Sequence, residues 1–153
     1  MRICRITGRL ALLVFLLLLA RLSSAQTPGT AADTVKLASG VRYVVHERGT
    51  GAVPNKGQVV YVHYTGFLPS GRMFESSAEE GKPVRLRLGR KEVIAGWEEV
   101  LALLPEGTRA WVYIPAPLAY GKKGVLLPDD EQQRYLIPPN TNLGFELQVV
   151  KVK

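Results

Sequence analysis

The stretch "EVIAGWEEVLALL" (residues 92–104) carries the one clear helical pattern in this 153-residue chain. Its large apolar side chains recur at helical spacing and form a single stripe. The members of this stripe are Val93, Trp97, Val100, Leu101 and Leu104. Pro105 and Gly107 follow at once, and such residues end a helix. The sequence therefore predicts one short amphipathic helix here.

The segments on both sides of this helix show the period-two alternation of β-strands. The clearest is "QVVYVHYT" (residues 58–65), in which Val60, Val62 and Tyr64 share one face. The other predicted strands span residues 41–46, 72–76, 84–88, 108–115 and 142–152. Five or six antiparallel strands and one helix define an α+β fold, and we expect the sheet to wrap around the helix.

The beginning of the chain resembles a secretory signal peptide. Arginines precede the unbroken apolar run of residues 10–20, and small residues at Ser23 and Ala25 follow it. This pattern predicts cleavage after Ala25 and export to the periplasm, the medium or the ER lumen. The apolar run is shorter than the roughly 20 residues of a membrane span, so no stable membrane insertion is expected after cleavage. An uncleaved anchor is the alternative.

The rest of the chain is predicted to form one domain. The small polar residues after the cleavage point indicate a flexible leader over residues 26–39. We expect the folded domain to span residues 40–153, with its core in residues 57–153. Because there is neither a second domain nor a heptad pattern, we expect a monomer.

The charge of the chain says little about partners once the signal peptide is removed. The formal net charge is +7, from 20 basic and 13 acidic residues. Four of the basic residues and none of the acidic ones lie in residues 1–25, which leaves +3 for the remainder. Without a basic stripe interleaved with aromatics, no nucleic-acid partner is expected. The only cysteine, Cys4, is lost with the signal, so the mature chain can form no internal disulfide.

The residue patterns argue against metal and covalent chemistry. The two histidines, His46 and His63, lie on different predicted strands and lack a metal-binding spacing. We therefore expect no metal site and no cofactor. A Ser–His–acid triad is recognised by geometry and stays open, although no Gly-x-Ser-x-Gly elbow is present.

The stretch "GRMFESS" (residues 71–77) could hold an acid and a nucleophile. Ser76 and Ser77 are better explained as turn residues that bond to backbone. Glu75 with Glu79 or Glu80 could form a carboxylate dyad, but the surrounding loop is polar and favours a solvated turn.

Aromatic residues are more numerous than one small core face needs. We expect Tyr61 and Trp111 to fill the core. Trp97, near the start of a short helix, is better placed to form the floor of a ligand pocket.

Four blocks in order resemble the FKBP-type peptidyl-prolyl cis-trans isomerases. They are "VHYTGFLPSGRMFESS" (residues 62–77), "LGRKEVIAGWEEVL" (residues 88–101), "LAYG" (residues 118–121) and "LIPPNTNLGFELQVV" (residues 136–150). The resemblance runs from about residue 40 to the C-terminus. It implies an antiparallel half-barrel wrapped on one short helix, with an aromatic active site between sheet and helix. It also implies an enzyme that accelerates X–Pro bond rotation during the folding of exported proteins, without a cofactor or covalent chemistry.

The resemblance implies a set of site residues. The catalytic positions would be Tyr64, Phe74, Glu75, Ile94, Trp97, Tyr120 and Phe145. Further contacts with substrate would come from Val84, Val93 and Ile137. In this set, Trp97 would be the floor under the proline ring, and the Ile94 N–H and the Tyr120 hydroxyl would donate to ligand carbonyls.

Several positions depart from the family pattern. Glu75 stands where the family commonly has an Asp. Glu80 stands where some members have an arginine that pairs with that Asp. Val84 stands where a pocket phenylalanine is frequent. The segment of residues 122–136 is longer than usual, and its polar middle predicts an exposed flap. Expected partners are proline-containing polypeptides and macrolide inhibitors. The departures leave open a second function, a low-turnover binding module or chaperone that uses the same pocket.

Overall fold

A computed structural model describes residues 33–153, whose regular structure consists mainly of one antiparallel sheet and a single α-helix. The predicted signal peptide and the first part of the predicted leader, residues 26–32, lie outside the described residues. The strands are β1 (Val35–Lys36), β2 (Arg42–Glu47), β3 (Val59–Phe67), β4 (Met73–Ser76), β5 (Val84–Arg87), β6 (Arg109–Ile114), β7 (Val125–Leu126), β8 (Tyr135–Ile137) and β9 (Leu143–Val152). The helix, α1, spans Ala95–Leu101.

The main sheet has seven strands in the order β1-β2-β6-β9-β3-β4, and β5 also pairs with β3. Every pairing is antiparallel. Alternation directs one set of side chains inward, where they meet the buried face of α1. The buried residues of β9 are Leu143, Phe145, Leu147 and Val149. The predicted α+β fold with a sheet around one helix is confirmed.

The helix begins later than its apolar pattern suggests. Ile94 is the N-cap, in an extended conformation with φ −59° and ψ 148°. Lys91 has a left-handed φ of 57°, which interrupts the chain before the helix. The Glu98 carboxylate holds this loop in place by accepting from the backbone N–H groups of Gly89 and Lys91. Val93 therefore belongs to a loop, where its side chain is free to line a cavity.

Trp111 was expected in the core, and this prediction is wrong. On β6 it stands between Ala110 and Val112, which are both fully buried. Because neighbouring strand residues point to opposite faces, Trp111 lies on the outer face, with 38% of its surface exposed. Tyr61 similarly alternates with buried neighbours on β3 and is only half-buried.

Three short strands were not predicted from the sequence. β1 lies within the segment assigned to the leader and pairs with β2. β7 and β8 form a separate two-stranded sheet inside the predicted flap. The tip of this hairpin is exposed and carries an ion pair between Asp130 and Arg134, with an N–O distance of 3.1 Å. Within residues 33–153, no helix has the length and apolar composition needed to cross a membrane.

Candidate active site

A cavity of about 200 Å³ lies beside the N-terminal end of α1 and the inner face of the sheet. Its lining residues are Tyr64, Glu75, Val84, Glu92, Val93, Ile94, Trp97, Tyr120 and Phe145. Eight of the ten residues that the resemblance implied are among them. Glu92 was missed because an exposed acidic residue before a helix carries no distinctive signal.

Three aromatic rings form the walls of the cavity. Tyr64 from β3 meets Trp97 edge-on, with ring centroids 4.9 Å apart and an interplanar angle of 81°. Trp97 in turn meets Phe145 from β9 at 5.4 Å and 84°. Edge-to-face pairs of this kind are favourable and directional. Trp97 is only 4% exposed, so the floor of the cavity is held in a fixed orientation.

The close approach of α1 to the sheet places the Trp97 ring. Gly96 faces Ile114 of β6, and a Cβ at this position would come within 2.5 Å of the Ile114 side chain. A residue with a side chain would push the first turn of the helix away from the sheet. Gly96 therefore lets the neighbouring Trp97 reach the rings of Tyr64 and Phe145.

Phe74 and Ile137 were predicted in the pocket, but neither lines the cavity. Phe74 packs edge-on against Phe145 at 5.9 Å and 84°, so it supports a wall from the side. Its ring also lies over Gly66, where a Cβ would be 2.5 Å from the ring. Ile137 lies in β8 and joins the hydrophobic core with only 2% of its surface exposed.

The Ile94 N–H is a backbone donor at the wall of the cavity. Among residues 33–153, no backbone or side-chain group accepts a hydrogen bond from it. The Ile94 carbonyl is satisfied, since it accepts from the N–H groups of Trp97 and Glu98 at 3.0 and 3.3 Å. The first N–H groups of a helix have no intrahelical partner and are available to a ligand. This N–H can therefore donate to a carbonyl that enters the cavity.

The Tyr120 hydroxyl is a second donor at the rim. A 3₁₀ turn, Ala116–Leu118, sets up the loop that carries it, and the N–H of Gly121 closes the loop by donating to the Ala116 carbonyl at 2.9 Å. The Asn142 side chain accepts from the Ala116 N–H at 2.9 Å and ties the loop to the start of β9. Tyr120 is 38% exposed, so its ring borders both the cavity and solvent.

Both cavity tyrosines keep their protons. Burial raises the pKa of Tyr64 well above its usual range, and the Glu75 carboxylate raises it further by its charge and as a hydrogen-bond acceptor. Burial also raises the pKa of Tyr120, again with a contribution from the charge of Glu75. The two hydroxyls are therefore donors at neutral pH. Glu75, one of the implied catalytic positions, lies beside Tyr64 in the lining of the cavity.

The two serines of the β3–β4 hairpin bond to backbone rather than facing the cavity. Ser77 Oγ accepts from the Tyr64 N–H at 3.0 Å and lies 3.0 Å from His63 Nδ1. Ser76 Oγ lies 3.1 Å from the Thr65 hydroxyl. These bonds fix the backbone next to Tyr64. Within the part of the chain that the structure describes, no three potential metal ligands come together.

The fold and the cavity define a small α+β half-barrel with an aromatic ligand site between sheet and helix. The family model described as FKBP-type peptidyl-prolyl cis-trans isomerase matches residues 51–150. The chain belongs to this family, which confirms the resemblance seen in the sequence.

Named relatives and a solved structure agree with this assignment. The chain is 40% identical over 119 residues to the outer membrane protein MIP of Legionella longbeachae, covering 78% of this chain and 47% of that protein. It is 39% identical over 115 residues to the peptidyl-prolyl cis-trans isomerase Fkbp12 of Drosophila melanogaster, covering 74% of this chain and 99% of that protein. The crystal structure of AtFKBP13 superposes with a TM-score of 0.71 at 31% identity, covering 79% and 99% of the two chains. The chain thus spans about half of the Legionella protein and nearly all of the Drosophila protein.

Proposed function

We propose that this chain accelerates X–Pro bond rotation in exported polypeptides, and that the cavity around Trp97 is its active site. The observation that carries this proposal is the pairing of an aromatic cavity with a backbone donor, the Ile94 N–H, that has no partner among residues 33–153. The volume of about 200 Å³ is below the roughly 300–1,000 Å³ of sites for drug-sized ligands. It suits one ring and the amide next to it better than a large ligand.

The reaction needs no bond to be made or broken. Rotation must interrupt amide resonance, which imposes a barrier of ~18–20 kcal/mol. Uncatalysed X–Pro isomerisation accordingly takes tens to hundreds of seconds. The planar amide is more polar than the twisted one, so water stabilises the ground state more than the transition state. A cavity walled by Tyr64, Trp97 and Phe145 removes that water and so lowers the barrier by differential binding.

Two donors can hold the twisted amide in place. The Ile94 N–H and the Tyr120 hydroxyl lie at the wall and at the rim of the same cavity. Hydrogen bonds that form best in the twisted state add to the preference for that state. A hundredfold acceleration corresponds to about 2.7 kcal/mol, which a few such contacts can supply.

The proposed substrates are exported proteins, and the proposed location is outside the cytosol. Two observations support this: the signal-like pattern of residues 1–25 and the name of the Legionella relative, an outer membrane protein. N-terminal sequencing of the protein recovered from the exported fraction should begin at Gln26. Recovery of the whole protein in the cytosol with an intact N-terminus would contradict this proposal.

A peptide isomerisation assay tests the activity. The purified protein should accelerate cis-to-trans conversion of a short proline peptide, and it should accelerate proline-limited refolding of a larger protein. A macrolide inhibitor that places one of its rings in the cavity should suppress both rates, because that ring competes for the same aromatic walls. Absence of acceleration in both assays would refute the proposed activity. Because one chain supplies all the lining residues, we expect the activity in a monomer, which light scattering can check.

The second candidate is a binding module or chaperone with little turnover. It is favoured by the β7–β8 hairpin, where Leu126 and Tyr135 are 45% and 44% exposed. The Glu80 carboxylate lies 3.7 Å from the Lys82 ammonium, so the polar loop that follows β4 carries two charged side chains. This function predicts suppression of aggregation that survives Trp97→Ala and Tyr120→Phe. If those substitutions abolish aggregation suppression together with isomerisation, the second candidate loses its support.

A further inference from the structure

A second hollow opens on the far side of Val93 from the active-site cavity. Its volume is about 670 Å³, and Val93 lines both spaces. One side chain therefore forms the wall between the proposed active site and a larger depression next to it. A polypeptide that leaves the cavity over Val93 enters this hollow directly.

The floor of the hollow is apolar. Leu88, at the end of β5, is 3% exposed and provides the deepest apolar surface. Ala95 and Ala102 come from the two ends of α1, and their small side chains leave the space open. Such a surface can bury an apolar side chain of a bound segment, and the free energy gained is proportional to the area removed from water.

The rim of the hollow is positively charged. The Lys56 side chain lies across Gly89, since a Cβ at Gly89 would be 2.5 Å from Lys56 Cγ. Its loop is tied to β5 by the Gly57 N–H, which donates to the Leu88 carbonyl at 2.8 Å. Lys91 lies on the same rim, in a left-handed conformation. Within residues 33–153, neither lysine is paired with a carboxylate.

Two carboxylates next to these lysines bond to backbone amides. Glu98 lines the hollow and accepts from the N–H groups of Gly89 and Lys91, and within residues 33–153 it forms no ion pair with Lys56 or Lys91. Glu92 accepts from the Arg87 N–H at 2.8 Å. Arg90, which lies between the rim residues Gly89 and Lys91, is exposed and adds a further positive charge to this loop.

We propose that this hollow is an extension subsite for the polypeptide substrate, taking an apolar side chain together with a carboxylate near the isomerising proline. This inference rests on the proposed function, because it requires the substrate to occupy the cavity on the other side of Val93. An extended chain advances about 3.3 Å per residue, so two or three residues beside the proline are enough to pass one side chain. The structure thus assigns a preference for acidic, apolar flanking sequence.

Peptides of two lengths test this subsite with the purified protein. A short proline peptide reports on the cavity alone. Longer versions carry Leu-Glu, Leu-Gln or Leu-Lys two to four residues from the proline, on one side or the other. On one of the two sides, kcat/KM should be about threefold to tenfold higher for the Glu version than for the Lys version, the range expected for one or two partly exposed ion pairs. The preference should vanish at 1 M salt, where the Debye length is about 3 Å.

Substitutions in the protein test which residues cause the preference for acidic, apolar flanking sequence. Lys56→Glu and Lys91→Glu should reverse the ratio of kcat/KM between Glu and Lys peptides, and Lys56→Gln should reduce it. Ala102→Phe, which fills the hollow without a charge change, should remove the advantage of the leucine. Lys36→Glu on β1 is the matched control, since it makes the same charge change on an exposed residue of the opposite sheet edge.

The outcomes separate this inference from the proposed function. If the short peptide is not turned over, the proposed function fails. If the short peptide is turned over but Glu, Gln and Lys versions react equally on both sides of the proline, the subsite is wrong. The subsite is also wrong if Lys36→Glu changes the ratio as much as Lys56→Glu does.

Discussion

Two aromatic clusters of nearly the same composition lie on opposite faces of one sheet. The inner cluster consists of Tyr64, Trp97 and Phe145, and the outer cluster consists of Phe67, Trp111 and Tyr113. Their ring spacings are alike, with 5.4 Å between Trp97 and Phe145 and 5.3 Å between Phe67 and Trp111. Their surroundings differ, since Trp97 is 4% exposed and Trp111 is 38% exposed. Composition and ring spacing therefore do not determine how far an aromatic cluster is buried.

Burial of the indole and a free backbone donor distinguish the inner cluster. Its rings meet edge-on, at angles above 80°, and the loop before α1 adds the Ile94 N–H. The outer rings are tilted by only 35°, and Trp111 lies over Gly144, where a Cβ would come within 2.8 Å of its ring. The outer cluster also borders a hollow, of about 630 Å³, but its indole is partly exposed, whereas the indole of the inner cluster is buried. Matched substitutions on the two faces test this difference.

The largest expected effect comes from removing each indole. Trp97→Ala should lower the free energy of unfolding by ~3–5 kcal/mol, the range for a buried aromatic, and should abolish detectable isomerisation. Trp111→Ala should cost about 1 kcal/mol, because much of its ring already contacts water. Denaturant unfolding and the peptide assay measure both. Equal losses in the two variants would show that the two faces are not functionally distinct.

Alanine substitutions of Gly66, under the Phe74 ring, and Gly144, under the Trp111 ring, should give a smaller difference in stability. Gly66→Ala should destabilise by ~1–3 kcal/mol, because the new methyl meets Phe74, which is itself packed against Phe145. Gly144→Ala should cost less than about 1 kcal/mol, since the exposed Trp111 can shift outward. Thermal unfolding and kcat/KM check this pair. A Gly66→Ala protein with native stability and activity would mean that Phe74 does not support the cavity wall.

Removing one tyrosine hydroxyl from each face distinguishes a role in catalysis from a role in packing. Tyr120→Phe should reduce kcat/KM about threefold to tenfold, as expected for the loss of one hydrogen bond to the substrate. Tyr113→Phe is the control, because Tyr113 lies on the outer face under the Arg42 guanidinium, which is 4.0 Å from its ring centroid. An unchanged rate for Tyr120→Phe would remove its hydroxyl from the mechanism and leave the Ile94 N–H as the donor.

The smallest expected effect is on stability at alkaline pH. The pKa of Tyr64 in the folded state lies above the unfolded value of 10.0. As pH rises above 10, the unfolded chain loses this proton first, so the free energy of unfolding falls. Tyr64→Phe should reduce this fall by about 0.5 kcal/mol at pH 10.5, a figure lowered for solvent screening of a half-buried ring. Denaturant midpoints measured from pH 8 to 10.5 test it, and parallel curves for both proteins would contradict the prediction.

The candidate site was largely accessible from the sequence, and its exceptions have structural causes. Eight of the ten implied residues line the cavity, among them Trp97 and the rim residues Glu75 and Tyr120. The misplaced residues depend on contacts between distant segments. Phe74 is turned by its fit over Gly66 and against Phe145, and Ile137 is buried by the β7–β8 hairpin. Strands of two and three residues are too short for an alternation pattern to reveal them.

What the sequence by itself determined is which side chains face inward. Period-two alternation selects Phe145 and Leu147 on β9, and the helical stripe selects Trp97 and Leu101, because these periods follow from local backbone geometry. Only the tertiary structure decided which aromatic cluster is buried beside a free backbone donor and which stays partly exposed. The cavity exists because the loop before α1 places Val93 and the Ile94 N–H beside those rings, and that placement depends on contacts the local pattern does not encode. Trp97 and Trp111 illustrate this division, because the two indoles differ in how much of their surface other residues bury.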